Sequence, residues 1–384
     1  MPSQRLPAKA GDRHRSEEGN RVRSAFEPAE LFGSILKNRI AMAPMTRSRA
    51  YGAGQTPGPG AVEYYTQRAS AGLMVSEGMH PNPHGQGEPD TPGMYTAEQA
   101  QAWLPVTAPV QARDTLFFAQ LMHSGRVGHP ENNPQGLQPV APSAVPAPGE
   151  IYTHRGRQPH PCPRALTVAE IDQTVRDFAT AAGLALDAGF DGVTLHAGNG
   201  YLLHEFLAEN TNLRTDGYGG SLSARLRFVV EVVEAVCSVV PPHRVLLHLT
   251  PAKVGTDIVE GDSLALYDAL LAALPTALGG LSVFETGRRD LTWRLRERWP
   301  GPFVLNPHEN YGNGAIPAGP ADLPLIDDGL ADVLSFGRLF LANPDLPARL
   351  RAGGPFNEPD RGTFYGGGAA GYTDYPALHT TDAQ

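Results

Sequence analysis

The sequence predicts a single (β/α)8 barrel, the TIM-barrel class of α/β fold. Eight short apolar runs, each typical of a buried strand, alternate along the chain with segments of helical periodicity. Strands that alternate with helices form parallel sheets with right-handed crossovers, and eight such units most economically close into a barrel. An open doubly wound sheet is the alternative, but no GxGxxG motif follows the first strand to support it.

The elements follow one another at regular intervals. The predicted strands are Arg39–Met42, Leu73–Ser76, Thr115–Met122, Gly192–His196, Val245–Leu249, Gly280–Phe284, Phe303–Leu305 and Asp332–Phe336. Helical segments between them include Glu63–Ala71, Val168–Ala188, Leu222–Val239 and Leu264–Ala273. Thr167 and Glu170 predict a capping box at the start of one helix, and Ser221 predicts the N-cap of the next.

Two segments lie outside this alternation. Residues 1–25 carry interleaved charges and few apolar side chains, so we expect a flexible N-terminal tail, followed by the barrel over residues 26–384. The Pro-rich stretch Gly125–Arg164, after the third strand, has little periodicity and is too long for an ordinary connection. It is predicted to be an excursion over the mouth of the barrel, forming a hairpin or a lid.

Composition narrows the class of protein. The 384 residues carry a formal net charge of −9, which argues against nucleic acid or an anionic membrane surface as a partner. With only two cysteines, Cys162 and Cys237, the chain has no disulfide framework and no CxxC metal signature. No apolar run is long enough to span a bilayer, and no secretory signal is apparent. We therefore expect a cytoplasmic protein, either a monomer or a homodimer.

The most informative stretch is DGVTLHAGNGYLLHEFLAENTNLRTDGYGGS, from Asp191 to Ser221. It begins as the fourth strand and continues into a glycine-containing loop that brings His196, Asn199 and Tyr201 within six residues. An imidazole and an amide can polarise a carbonyl, and a phenol can deliver a proton nearby. Each residue alone is more often structural, but the three together predict an active site at the end of the barrel where such sites form.

This stretch resembles the old yellow enzyme family of flavin-dependent ene-reductases. The resemblance rests on His196, Asn199 and Gly200-Tyr201-Leu202, followed by Asn212, Arg214, Asp216 and Tyr218-Gly219-Gly220-Ser221. It extends from about Phe26 to Leu378. It implies bound FMN, NADPH or NADH as the hydride donor, and activated alkenes (enones, enals, maleimides and nitroalkenes) as substrates. Hydride would pass through flavin N5 to the β-carbon, His196 and Asn199 would bind the activating oxygen, and Tyr201 would protonate the α-carbon.

The resemblance also implies which residues hold the cofactor and shape the pocket. Gln120, an amide in an apolar strand, would meet the pyrimidine edge of the flavin, and Met122 and Tyr365 would line the substrate pocket. The remaining cofactor residues implied are Pro44, Met45, Thr46, Gly78, His248, Asn313, Gly314, Gly337 and Arg338, of which Asn313, Gly314, Gly337 and Arg338 would bind the phosphate. Arg288 and Arg289 could contact a nucleotide phosphate, although solvated surface charge is the commoner role.

One position departs from the family pattern. The family has an arginine on the fifth strand that contacts the flavin, and this chain has His248 there. Arginine keeps its charge at every working pH, whereas histidine titrates near neutrality, so the potential of the flavin should become pH-dependent. This departure motivates an alternative function: a barrel that binds flavin but turns over weakly or uses a different acceptor.

A second alternative is a metal-dependent hydrolase. His123, His196 and His248 lie at or near strand ends, and three histidines can hold zinc. Against this interpretation, no HxH motif occurs on the first strand, and Gln120 would have no purpose.

Overall fold

Eight parallel strands close into a barrel in the computed structural model, which describes residues 25–52, 54–252, 257–309 and 317–378. The barrel strands, numbered here in chain order, are Ile40–Met42, Leu73–Met79, Leu116–Leu121, Gly192–Ala197, Val245–Leu249, Gly280–Phe284, Phe303–Asn306 and Val333–Phe336. Each pairs in parallel with its neighbours in sequence, and the eighth pairs with the first. The predicted (β/α)8 barrel is thus confirmed, with all eight predicted strands in place.

Helices surround the barrel and connect successive strands. Their bounds are Ala61–Gln67, Ala97–Gln111, Val168–Asp187, Leu202–Leu207, Leu222–Cys237, Ser263–Ala273, Arg289–Arg298, Pro324–Asp327, Arg338–Ala342 and Leu346–Ala352. Thr167 and Glu170 form the predicted capping box. Ser221 accepts a hydrogen bond from the Ala224 N–H, as expected of an N-cap. None of the described helices is long and apolar enough to cross a membrane.

The amino end of the barrel is closed by apolar side chains. The hairpin of Ala29–Leu31 and Ser34–Leu36 packs Phe32 against Phe118 inside the barrel, with ring centroids 5.8 Å apart. Of the predicted tail, residues 1–24 lie outside the described residues, and Ala25 is buried and accepts a hydrogen bond from the Arg39 N–H. With this end filled, a ligand can enter only from the carboxyl ends of the strands.

The Pro-rich excursion contains the predicted hairpin. Glu150–Thr153 and Gly156–Pro159 pair in antiparallel fashion. The excursion is attached to the segment after the fourth strand, because the Ser143 hydroxyl accepts a hydrogen bond from the Leu213 N–H and the Pro142 carbonyl accepts one from Arg214. It therefore lies at the same end of the barrel as the predicted active site.

A buried cluster of arginine and tyrosine side chains holds the C-terminal segment to the barrel. The Arg47 guanidinium lies 5.1 Å from the centroid of the Tyr372 ring and donates hydrogen bonds to the carbonyl oxygens of Phe364 and Gly371. Tyr372 also stacks on Tyr64, with centroids 4.3 Å apart. These contacts bring Phe364 and the following Tyr365 to the carboxyl end of the barrel.

Candidate active site

A cavity of about 360 Å³ opens at the carboxyl ends of the strands. Most of the predicted site residues line this cavity, although they come from strands on all sides of the barrel. Those that line it are Pro44, Met45, Thr46, Gln120, Met122, His196, Asn199, Tyr201, His248, Gly337, Arg338 and Tyr365. The barrel therefore brings residues as far apart in the chain as Pro44 and Tyr365 to one site.

The loop after the fourth strand is fixed by close backbone contacts. Asn199 has a left-handed backbone, with φ of 56°, and its N–H donates to the Thr250 Oγ1 at 2.6 Å. A Cβ atom on Gly198 would lie 2.6 Å from the same Oγ1, so only glycine allows this approach. Thr250, which follows the fifth strand, thus determines where the Asn199 side chain lies.

His196 and Asn199 bring hydrogen-bond donors together. The Gly198 N–H donates to His196 Nδ1 at 3.1 Å, so the proton of the neutral ring is on Nε2. That Nε2 lies 3.2 Å from the Asn199 amide nitrogen. Two polar side chains that line the cavity are therefore adjacent, in an orientation set by the backbone of their own loop.

Tyr201 lies beside this pair. Its ring centroid is 5.2 Å from that of His196, in an edge-to-face arrangement. Burial, with the nearby charge of Glu88 and the Tyr365 hydroxyl, raises the pKa of Tyr201 well above its ordinary value. The phenol consequently keeps its proton at any working pH, which a proton donor requires.

Two buried amides in the cavity have an atom without a partner among the described residues: Gln120 Nε2 and Asn306 Oδ1. Their exposed fractions are only 3% and 6%, and an unsatisfied buried polar atom costs about 1–3 kcal/mol. The two amides lie on the third and seventh strands, which are opposite each other in the barrel. A long ligand with polar groups at separate points would satisfy both, and FMN, with its pyrimidine edge and its polyol chain, fits this requirement.

His248 lies next to the predicted catalytic loop. Its ring centroid is 4.8 Å from that of His196, and its Nδ1 lies 3.0 Å from the Ser282 hydroxyl on the sixth strand. The side chain is 5% exposed and lines the cavity. The position that departs from the family pattern is therefore inside the site.

Not every predicted residue reaches the cavity surface. Gly78 is buried but does not line the cavity, because Met122 lies over it: a Cβ on Gly78 would be 3.0 Å from the Met122 Sδ. Gly78 thus allows Met122 to pack closely against the second strand, and Met122 contacts the cavity instead. Asn313 and Gly314 lie outside the described residues.

An exposed cation, Arg338, lines the cavity. Arg338 follows Gly337 after the eighth strand, and its guanidinium has no hydrogen bond or ion pair with any residue that the structure describes. Arg288 and Arg289 are instead paired, with Asp290 and Glu285 respectively. Of these three arginines, Arg338 is the one that can meet an anionic group at the cavity.

Sequence reasoning missed several residues that line the cavity, among them Phe284, Asn306 and His308. The rings of Phe284 and His308 stack, with centroids 4.4 Å apart and planes 24° from parallel. The predicted seventh strand stopped at Leu305, one residue before Asn306, although Asn306 is where the strand ends. A polar residue at the end of a barrel strand was the signal that could have found it.

The three histidines of the hydrolase alternative do not form one site. His123 is buried outside the cavity, and its Nδ1 accepts a hydrogen bond from the Gly125 N–H. Within the described ranges, no group of three His, Cys, Asp or Glu side chains is placed to hold a metal ion. The arrangement of His196 and His248 therefore gives no support to zinc chemistry.

Comparisons with known proteins agree with this geometry. A model of the NADH:flavin oxidoreductase / NADH oxidase family matches residues 24–357. The chain is 38% identical over 363 residues to 12-oxophytodienoate reductase 1 of Oryza sativa subsp. japonica, covering 91% of this chain and 92% of that relative. It is also 40% identical over 356 residues to putative 12-oxophytodienoate reductase 5 of the same organism, covering 89% and 91%.

Solved structures match equally well. Morphinone reductase in complex with tetrahydroNAD superposes with a TM-score of 0.86 at 40% identity, covering 94% of this chain and 99% of that one. An old yellow enzyme homologue from Zymomonas mobilis gives 0.85 at 37% identity, covering 92% and 100%. The chain therefore belongs to the NADH:flavin oxidoreductase / NADH oxidase family, and it is an FMN-dependent, NAD(P)H-dependent ene-reductase of the old yellow enzyme type.

Proposed function

We propose that the enzyme reduces the C=C bond of alkenes conjugated to a carbonyl or nitro group, namely enones, enals, maleimides and nitroalkenes. The observation that carries this proposal is the convergence of His196, Asn199 and Tyr201 in one cavity with the unpartnered amide of Gln120. The cavity thereby combines hydrogen-bond donors for the activating oxygen, a protonated phenol and a polar group for the flavin.

Polar atoms around the cavity would hold the cofactor. Gln120 Nε2 would donate to the pyrimidine edge, and Asn306 would meet a hydroxyl of the polyol, which can either donate or accept. Arg338 and the backbone at Gly337 would bind the phosphate, and Pro44, Met45 and Thr46 would contact the ring. Once bound, FMN supplies hydride transfer between the nicotinamide nucleotide and the β-carbon of the alkene.

His196 and Asn199 bind the oxygen that activates the alkene. Negative charge develops on this oxygen as the β-carbon is reduced, and hydrogen-bond donors fixed in advance stabilise that charge more than they stabilise the ground state. The Gly198 N–H fixes the ring of His196, and Thr250 fixes the backbone of Asn199. These donors need no rearrangement during the reaction.

Tyr201 donates the proton to the α-carbon from its hydroxyl. Two observations support this role: the raised pKa keeps the phenol protonated, and the ring of Tyr201 lies beside that of His196. Met122 and Tyr365, which also line the cavity, bound the space for the substituents of the alkene.

His248 supports a second candidate function, in which the barrel binds flavin but reduces alkenes weakly or passes electrons to another acceptor. The supporting observation is that His248 lies 4.8 Å from His196 by ring centroids and lines the same cavity. A neutral imidazole there would stabilise the reduced cofactor less than a permanent cation does.

Anaerobic visible absorption of the purified protein separates the two functions. We expect a yellow protein whose absorption falls on addition of NADPH and returns on addition of cyclohexenone. Loss of colour with NADPH and no recovery with cyclohexenone, a maleimide or a nitroalkene would favour the second function. A protein that neither contains nor takes up FMN would contradict both.

A further inference from the structure

A buried acid–histidine pair lies behind the catalytic loop and outside the cavity. His204 Nε2 is 2.9 Å from Glu260 Oε1, and the two side chains are 0% and 2% exposed. Neither residue is among those that line the cavity. Burial of a carboxylate is unfavourable unless other groups compensate it, so this pair calls for a structural reason.

Glu260 is well compensated. Its carboxylate accepts hydrogen bonds from the Tyr267 hydroxyl at 2.6 Å, from the Ser263 hydroxyl and from the Ala252 N–H at 3.0 Å. Burial alone would raise the pKa of Glu260, but the hydrogen bonds from His204, Ser263 and Tyr267 outweigh it and keep the pKa below its ordinary value. Glu260 is therefore ionised at neutral pH and acts as a fixed acceptor for His204.

The other nitrogen of His204 contacts the catalytic loop. The Gly200 N–H donates to His204 Nδ1 at 3.1 Å. Because Nδ1 accepts, the proton of the neutral ring is on Nε2, directed at Glu260. The carboxylate thus selects the one tautomer of His204 that can hold the Gly200 N–H.

Gly200 lies between two residues of the active site, Asn199 and Tyr201. It has a left-handed backbone, with φ of 78°, as does Asn199 before it. The N–H of Asn199 is held by Thr250, and the N–H of Gly200 is held by His204. Two consecutive peptide groups of the loop are therefore each fixed by one side chain.

We propose that His204 and Glu260 are positioning residues for alkene reduction: through the Gly200 N–H they set where the Asn199 amide and the Tyr201 hydroxyl lie relative to the bound alkene. This inference rests on the proposed function, which gives those two groups their roles. Displacement of a reacting group by about 1 Å can slow a reaction about 100-fold, so a single hydrogen bond behind the loop is enough to matter.

Two substitutions of His204 separate its two contacts. His204→Asn places an amide atom where Nδ1 lies, so it can still accept from Gly200, but it does not reach Glu260. His204→Gln places an amide atom where Nε2 lies, so it meets Glu260 and loses Gly200. Two measurements on the FMN-loaded enzyme apply to both variants: stopped-flow rates of the two half-reactions, and hydrogen exchange of the peptide spanning residues 198–204.

We expect His204→Gln to slow reoxidation by cyclohexenone about 10- to 100-fold while the rate of reduction by NADPH changes by no more than about twofold. Exchange of the 198–204 peptide should rise in the same variant. His204→Asn should recover most of the cyclohexenone rate and the protection. Glu260→Gln keeps the shape of the side chain but removes its charge. Its cyclohexenone rate and its hydrogen exchange should lie between those of the two His204 variants.

A control for general destabilisation is Val236→Ala, which truncates a buried side chain on the helix Leu222–Cys237. It should lower the melting temperature and leave the ratio of the two half-reaction rates unchanged. If His204→Gln does not fold, Tyr267→Phe weakens the support of Glu260 without altering His204, and the same selective slowing is expected on a smaller scale.

The outcomes separate this inference from the proposed function. Equal slowing of both half-reactions, or unchanged exchange in His204→Gln, would overturn the positioning role. A rise in exchange with no loss of the cyclohexenone rate would also overturn it. If Tyr201→Phe, measured in parallel, reduces cyclohexenone at the normal rate, the proposed function fails at its proton donor, whatever the exchange shows.

Discussion

The Thr250 hydroxyl accepts a hydrogen bond of 2.6 Å from the backbone N–H of Asn199. Through this contact the loop after the fifth strand fixes the loop after the fourth, and Asn199 keeps a left-handed conformation that non-glycine residues adopt only when their surroundings support it. The Asn199 amide is therefore placed by a residue that does not itself line the cavity.

Substitution of Thr250 tests this contact. Thr250→Val keeps the shape of the side chain but leaves the Asn199 N–H without its acceptor, so we expect the rate of alkene reduction to fall about tenfold. Thr250→Ser keeps the hydroxyl and should retain most of the rate. Stopped-flow reoxidation by cyclohexenone measures both, and equal rates for the two variants would remove Thr250 from this role.

Replacement of Tyr201 tests the proton donor. Tyr201→Phe removes the hydroxyl and keeps the ring, so reoxidation by an alkene should slow about 100-fold or more, in the range typical of general acid catalysis. Reduction by NADPH needs no such proton and should be unaffected. A variant that is slowed equally in both half-reactions would exclude Tyr201 as the specific donor.

The raised pKa of Tyr201 also predicts a pH dependence. A phenol with an ordinary pKa near 10 would lose its proton as the pH approaches 10, and alkene reduction would fall. Because burial raises this pKa, the rate of the alkene half-reaction should show no loss from ionisation of Tyr201 between pH 7 and about pH 10. Stopped-flow rates across this range, with FMN loading checked at each pH, provide the test.

His248 is the position expected to set the potential of the cofactor. His248→Arg supplies a permanent positive charge in the cavity, which should favour the reduced, more negative flavin and raise its two-electron potential by about 30 mV or more. Ser282→Ala, which removes the hydrogen-bond partner of His248 without adding charge, is the matched control. Spectroelectrochemical titration gives both potentials, and an unchanged value in His248→Arg would refute this account of the position.

The two unpartnered amides predict different effects on cofactor binding. Asn306→Ala should weaken FMN binding about tenfold, the value of one hydrogen bond, but should leave binding of lumiflavin, which lacks the polyol, unchanged. Gln120→Ala should weaken both ligands because it acts on the ring. Quenching of flavin fluorescence by the apoprotein measures all four affinities. If Asn306→Ala lost as much affinity for lumiflavin as for FMN, Asn306 would contact the ring instead of the polyol.

Acid should destabilise the fold through buried histidines. Burial lowers the pKa of His80 to about 3, so the folded protein binds fewer protons there than the unfolded chain between pH 6.5 and about 3. The free energy of unfolding should consequently fall by up to about 1.4 kcal/mol per pH unit below pH 6.5 for this group. His80→Gln should lose less stability between pH 7 and pH 5 in denaturant titrations, and an identical loss would contradict this assignment.

The barrel could be predicted from the sequence because parallel strands buried on both faces appear as near-continuous apolar runs, as Val245–Leu249 does with His248 as its one polar residue. The centre of the site could be predicted because His196, Asn199 and Tyr201 are neighbours in the chain. The packing of Met122 over Gly78 could not be predicted, because it depends on the conformation of one flexible side chain.

Contacts between residues that are far apart in the chain could not be predicted from the sequence either. Phe284 ends the sixth strand and His308 follows the seventh, and nothing in either segment indicates that their rings stack. His204 looks like an ordinary helical residue until the fold brings it within hydrogen-bonding distance of Glu260, more than 50 residues later. Such pairs follow from tertiary packing, which local patterns do not encode.

The arginines that hold the C-terminal segment allow residues of that segment beside the cavity to vary. Arg47 and Arg49 donate to main-chain carbonyl oxygens, including those of Phe364 and Ala370, and every amino acid supplies such an oxygen. These hydrogen bonds therefore do not depend on the side chains at the positions they hold, although the ring of Tyr372 adds a contact of its own. Residues such as Tyr365 can be exchanged for others, by evolution or by an engineer, and the new side chain will lie at the same place beside the cavity.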